Sequence, residues 1–177
     1  MKITFMGRWA AERLRLPDKY VLVSITDPGS RPAALHDPAC VAVLRLEFHD
    51  LAERPSWPGS DGLVLFTPAM AAQVAAFAER WRDAVSRIVV HCEAGISRSC
   101  AVASALARHF TGDDTRQREA GVPNRLVYRL MLEALKVPGA ADICAKVLPA
   151  RAQEVDRMRD EDSGLWAGLT GRRWRDE

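Results

Sequence analysis

Arg87-Ile88-Val89-Val90-His91-Cys92-Glu93-Ala94-Gly95-Ile96-Ser97-Arg98-Ser99 carries the pattern of a strand, a tight loop and the start of a helix in succession. Its opening residues, Arg87 to His91, form a short apolar run rich in β-branched side chains, the pattern of a strand buried on both faces. From Ser99 onward, Ala101, Val102, Ala105, Leu106 and Phe110 recur at three- and four-residue spacing, which predicts a helix with one apolar face. Between strand and helix, Gly95 tolerates positive φ, so the backbone can curl and turn successive N–H groups inward. Strand, tight loop and helix together predict an anion nest at a helix N-terminus.

Each residue type in that nest has a chemical reason to be there. A thiol at a helix N-terminus beside a cation favours its thiolate, which makes Cys92 a candidate nucleophile. Arg98 offers a planar fork of donors that matches two oxygens of a phosphoryl group and keeps its charge throughout. Ser99 is placed to donate its hydroxyl to the sulfur and so stabilise it as a leaving group. The segment Glu93, Ala94, Gly95, Ile96, Ser97 and Arg98 would wrap the anion. A metal reading of His91 and Cys92 fails on geometry, because neighbours on an extended strand point to opposite faces.

These residues match the His-Cys-x5-Arg-Ser/Thr signature, and the form His-Cys-x-x-Gly-x-Ser-Arg-Ser resembles the dual-specificity branch of the protein tyrosine phosphatase superfamily. A looser match in the order of elements extends over residues 20 to 136. The resemblance implies a cysteine-phosphatase-like fold, with His91 steadying the loop through a buried ring. It also implies an aspartate general acid upstream of the nucleophile, a phosphoprotein substrate as partner, and neither metal nor other cofactor.

Two aspartates compete for the acid. Asp50 ends a predicted strand, where the dual-specificity resemblance puts the acid, and is preferred because a strand end is structurally constrained. Asp61 follows Trp57-Pro58-Gly59, which looks like the Trp-Pro-Asp loop of larger tyrosine phosphatases with glycine in place of the acid. His49 is expected only to pack or orient the loop beside Asp50. Asn124 is explained as a helix cap.

Length and composition set outer bounds. At 177 residues the chain has room for one compact α/β domain, taken as residues 1–150, with a charged, tryptophan-containing extension over 151–177. The formal net charge is +2 with both signs interspersed, a balance that suggests neither nucleic-acid nor membrane binding. No run approaches a bilayer span and Met1-Lys2-Ile3-Thr4-Phe5 lacks a leader pattern, so a cytoplasmic location is expected. Cysteines at 40, 92, 100 and 144 have neither metal-ligand spacing nor a disulfide framework.

Elsewhere the chain alternates strand and helix patterns. Tyr20 to Thr26 reads as a strand ended by Asp27-Pro28-Gly29, and Val41 to Phe48 alternates as a second. Thr67-Pro68 opens a helix with Val74, Phe77, Trp81 and Val85 as its expected buried stripe. Pro123-Asn124 opens another with Val127, Leu130, Met131 and Leu135 on one side. Alternation of this kind predicts a three-layer α/β fold with a mainly parallel central sheet flanked by helices, and ligand binding beyond the carboxyl ends of the strands.

The expected function is hydrolysis of phosphotyrosine in proteins, with phosphoserine and phosphothreonine as further candidates, through a cysteinyl-phosphate intermediate. Glu93 and the lack of lysine inside the loop argue against highly anionic phosphoinositide headgroups. The rivals are a catalytically dead phosphopeptide-binding module and a rhodanese-type sulfurtransferase. Intact Cys92, Arg98 and Ser99 argue against the first, and arginine followed by serine argues against the second.

Overall fold

A computed structural model describes residues 1–56 and 58–147. The extension expected over 151–177 lies outside the described residues, as does Trp57. The strands are β1 (Lys2–Gly7), β2 (Tyr20–Thr26), β3 (Cys40–Glu47) and β4 (Arg87–Cys92), and the helices α1 (Arg8–Arg13), α2 (Pro68–Trp81), α3 (Arg98–Thr111), α4 (Thr115–Glu119) and α5 (Arg125–Ala134). All strand pairings are parallel, in the order β1-β4-β2-β3. The expected α/β sheet flanked by helices is therefore present.

The two-residue period of the central strands sorts their side chains into two layers. Val21, Val23 and Ile25 of β2 and Ile88, Val90 and Cys92 of β4 face the large core, which is shared with α2, α3 and α5. Tyr20, Leu22 and Val89 face the opposite side, where Leu14, Leu16 and Leu35 cover them. Every residue of β2 is buried, as its apolar run requires. The alternation of β3 reflects its place at the sheet edge, with Leu46 and Phe48 inward and Val41 and Val43 exposed.

Local signals set the helix starts. The Thr67 hydroxyl accepts from the Met70 N–H at 3.2 Å with Pro68 in the first turn, and Asn124 Oδ1 accepts from the Val127 N–H at 3.1 Å. The buried stripe of α2 differs from expectation. Ala71, Val74 and Ala78 are its buried residues, while Phe77 and Trp81 are only partly covered, because small side chains let this helix lie close to its neighbours.

Three elements, β1, α1 and α4, have no counterpart in the sequence reading. The N-terminal segment is an edge strand beside β4, and α1 follows it directly. The polar stretch after α3 contains α4 and a fully buried Asp114, which accepts from Arg108 and Tyr128, forms an ion pair with Arg118, and so joins α3, α4 and α5. Burial alone would raise the Asp114 carboxyl pKa, but those donors outweigh it and hold it below the usual range. No helix among the described residues is long and apolar enough to cross a membrane.

Candidate active site

Cys92 is the last residue of β4 and Arg98 the first of α3, so the intervening loop stands at the carboxyl end of the sheet. Gly95 carries φ +76°, as its place in the curl requires. It is also wedged against the end of β1: a Cβ there would overlap the Gly7 nitrogen and the Met6 carbonyl carbon. Gly7 is confined in return, since its own Cβ would lie 2.9 Å from the Ala94 oxygen.

The Cys92 sulfur is buried and has two partners. Ser99 Oγ lies 3.1 Å from it and the Gly95 N–H points to it at 3.3 Å. α3 begins at Arg98, six positions after Cys92, and a helix N-terminus favours an anion. On the far side of the strand, the His91 ring is fully buried, with Nε2 2.8 Å from Ser24 Oγ and Nδ1 3.4 Å from the Cys92 carbonyl oxygen. Burial pushes the His91 pKa down, which favours the neutral ring.

Arg98 is 4% exposed. Its Nη1 donates to Asp27 Oδ1 at 2.6 Å and to the Phe48 carbonyl at 2.7 Å, while its Nε is buried with no hydrogen-bond partner among the described residues. One edge of the fork is thus anchored by the ends of β2 and β3, and a polar donor on the other remains unmatched. Asp50 Oδ2 stands 3.9 Å from that Nε.

Asp50 Oδ1 accepts from Ser97 Oγ and from Asn124 Nδ2, both at 2.8 Å. Its carboxylate is thus tied to the loop and to the start of α5. Asp61 sits on a short 3-10 turn, Ser60–Gly62, where Arg54 bonds to its backbone oxygen and not to its side chain. His49 pins the base of this segment, its Nδ1 accepting from the Val64 N–H at 3.0 Å and its own N–H donating to the Val64 carbonyl at 2.8 Å.

Glu93, Ala94, Gly95, Ile96 and Ser97 form the loop itself, with Ile96 exposed at its rim. The Glu93 carboxylate is not a lone charge: Arg8 Nη1 donates to it at 3.1 Å. Glu93, so paired, does not by itself disfavour anionic lipids, and only the lack of a loop lysine remains to do so. Asn124 does more than cap, because its amide reaches Asp50 while its carbonyl holds α5.

Asp27 and Arg8 are the site residues absent from the sequence reading. Asp27 had a weak signal, an acid ending a strand whose carboxyl end faces the nest. Arg8 had none, since its role depends on β1 lying beside β4. Among the described residues no cluster of His, Cys, Asp or Glu has the makings of a metal site.

No protein-family model matches the chain, and no curated protein matches it in sequence. Solved structures do. The chain is similar to a mouse putative dual specificity phosphatase complexed with zinc tungstate, at 20% identity and a TM-score of 0.51 over 82% of this chain and 86% of that one. It is similar to human DUSP28 at 16% identity and a TM-score of 0.50, over 78% of this chain and 94% of that one. A variant of human DUSP28 aligns at 20% identity and a TM-score of 0.52, over 77% of this chain and 91% of that one. At these identities the likeness concerns the fold, and the fold is that of the dual-specificity phosphatases.

Proposed function

We propose that this chain is a cysteine-dependent phosphatase that hydrolyses phosphotyrosine in proteins, with phosphoserine and phosphothreonine as secondary substrates. The observation that carries the reading is the Cys92 sulfur at the mouth of α3, 3.1 Å from Ser99 Oγ, with the unmatched Nε of Arg98 in the same loop. Asp50, tied to Ser97 and Asn124, supplies a carboxyl group beside the loop.

The chemistry follows in two displacements. The Cys92 thiolate attacks phosphorus, the P–O bond to the leaving oxygen breaks, and that oxygen takes a proton from Asp50. Loop amides and Arg98 balance the charge on the equatorial oxygens. Water then attacks phosphorus while returning a proton to Asp50, the S–P bond breaks, and inorganic phosphate leaves with the thiolate restored. None of these steps calls on a metal or cofactor. Phenoxide leaves more readily than alkoxide, which favours phosphotyrosine.

The test is hydrolysis of para-nitrophenyl phosphate and release of phosphate from a phosphotyrosine peptide. Cys92→Ser is expected to abolish turnover while retaining phosphate binding, and Arg98→Lys to be severely impaired because an ammonium cannot form the bidentate fork. Residual activity above about a tenth of wild type in Cys92→Ser would remove the covalent mechanism. An inactive wild type that still binds phosphopeptide would mark a binding module, and cyanide-dependent thiosulfate turnover would mark a sulfurtransferase.

A further inference from the structure

Arg8, the first residue of α1, links the Cys92 loop to its own helix and to the segment after β2. Its N–H donates to the Glu93 carbonyl at 3.0 Å and its Nη1 to Glu93 Oε1 at 3.1 Å. Nε reaches Glu12 Oε1 at 3.1 Å, and Nη2 reaches the carbonyls of Arg31 at 2.7 Å and Pro32 at 3.3 Å. Directly before it, Gly7 lies against Ala94 and Gly95 with no room for a side chain. The junction of β1 and α1 therefore grips the first half of the loop.

The charge consequence concerns Glu93. It follows the nucleophile directly in the loop, so its carboxylate is one of the charges of the segment that would bind a doubly negative phosphate. An uncompensated carboxylate there opposes the dianion, while one paired to a guanidinium presents a dipole whose field falls off faster. The pair is only partly exposed, at 22% and 37% of the two side chains, so solvent screens it incompletely.

We propose that Arg8 is a positioning residue of the phosphate site: by holding Glu93 through both side chain and backbone, it neutralises the rim of the loop and sets its affinity for the phosphate dianion. This rests on reading the loop as a phosphate site, but it does not depend on turnover.

The test uses the full chain carrying Cys92→Ser, with binding of inorganic phosphate followed by titration calorimetry. Arg8→Ala is expected to weaken binding by about tenfold, the scale of one unscreened charge acting on a nearby dianion. Glu93→Gln should tighten it, and the double variant Arg8→Ala/Glu93→Gln should recover affinity to within about threefold of the parent. Arg8→Lys, which keeps the charge, should retain most of the affinity. The Arg8→Ala loss should shrink in 1 M salt, where the screening length is about 3 Å.

A double variant as weak as Arg8→Ala alone would assign the effect to loop geometry and overturn the charge argument, as would Arg8→Ala binding as tightly as the parent. If Arg8→Ala fails to fold by circular dichroism, Glu93→Gln decides: failure to tighten overturns the proposal. A parent that binds no phosphate defeats the phosphate-site reading and this inference with it. Phosphate binding with the expected pattern, in a chain whose wild type hydrolyses no ester, defeats only the catalytic reading.

Discussion

Replacing Ser99 by alanine should split the two chemical steps. Ser99 Oγ lies 3.1 Å from the Cys92 sulfur, and the only other donor to that sulfur is the Gly95 N–H at 3.3 Å, so the substitution removes one of two partners among the described residues. A hydrogen bond to a charged group contributes about 1.5–3 kcal/mol, which corresponds to a factor of roughly 10 to 100 in rate. That stabilisation is felt where charge returns to sulfur, in breakdown of the cysteinyl-phosphate. In the first step the thiolate loses charge, and a less stabilised sulfur is also a stronger nucleophile, so formation is affected less. Steady-state kcat should fall about 10- to 100-fold. Stopped-flow with para-nitrophenyl phosphate should show a burst approaching one nitrophenolate per active site, because the intermediate accumulates. The residue is fully buried in the first turn of α3, where alanine fits, so stability should change by about 1 kcal/mol or less. A fall in kcat without a burst, or no fall at all, would refute the leaving-group argument.

Asp50→Asn should lower kcat on a phosphotyrosine peptide by about a hundredfold and matter less for aryl phosphates with very acidic leaving groups; if Asp61→Asn shows that leaving-group dependence instead, the acid must be reassigned. Gly95→Ala should abolish activity and destabilise the fold by about 1–3 kcal/mol, since a side chain at φ +76° would be driven into β1; a denaturant midpoint equal to wild type would count against that packing. Burial lowers the His91 pKa, so the unfolded chain takes up a proton first on acidification. Its stabilising contribution is complete above the unfolded value of about 6.5 and is lost as pH falls from there through the lowered folded value. The urea midpoint of wild type should therefore drop between pH 7 and pH 5, and His91→Gln, less stable at pH 7, should show a flatter profile. An equally steep profile in both proteins would exclude His91 as the source.

Features that depend on neighbours along the chain were legible before folding. The run Arg87 to His91 is apolar and β-branched, Gly95 permits the curl, and the helical stripe starts just past Arg98, so strand, loop and helix follow from residues within about two dozen positions. Cys92, Arg98 and Ser99 are brought together by that same local geometry. Thr67-Pro68 and Asn124 announced their helices because capping is a contact between residues three apart. Asp50 was legible as a strand-end acid, but its attachment to Asn124, 74 residues away, was not.

Contacts between distant segments arise from strand order. The segment Lys2–Gly7 carries a weak strand pattern, and what makes it a strand is the edge of β4, whose hydrogen-bonding groups need a partner. Once that edge is filled, Gly7 and Arg8 arrive at the Cys92 loop, and a glutamate that reads in sequence as a repulsive charge becomes half of an ion pair. Asp27 reaches Arg98 across 71 positions because β2 and β4 are adjacent and parallel, which brings their carboxyl ends to the same side of the sheet. Such contacts have no periodicity or spacing to betray them: their partners are chosen by strand order, and strand order is set by which faces and edges can be buried together.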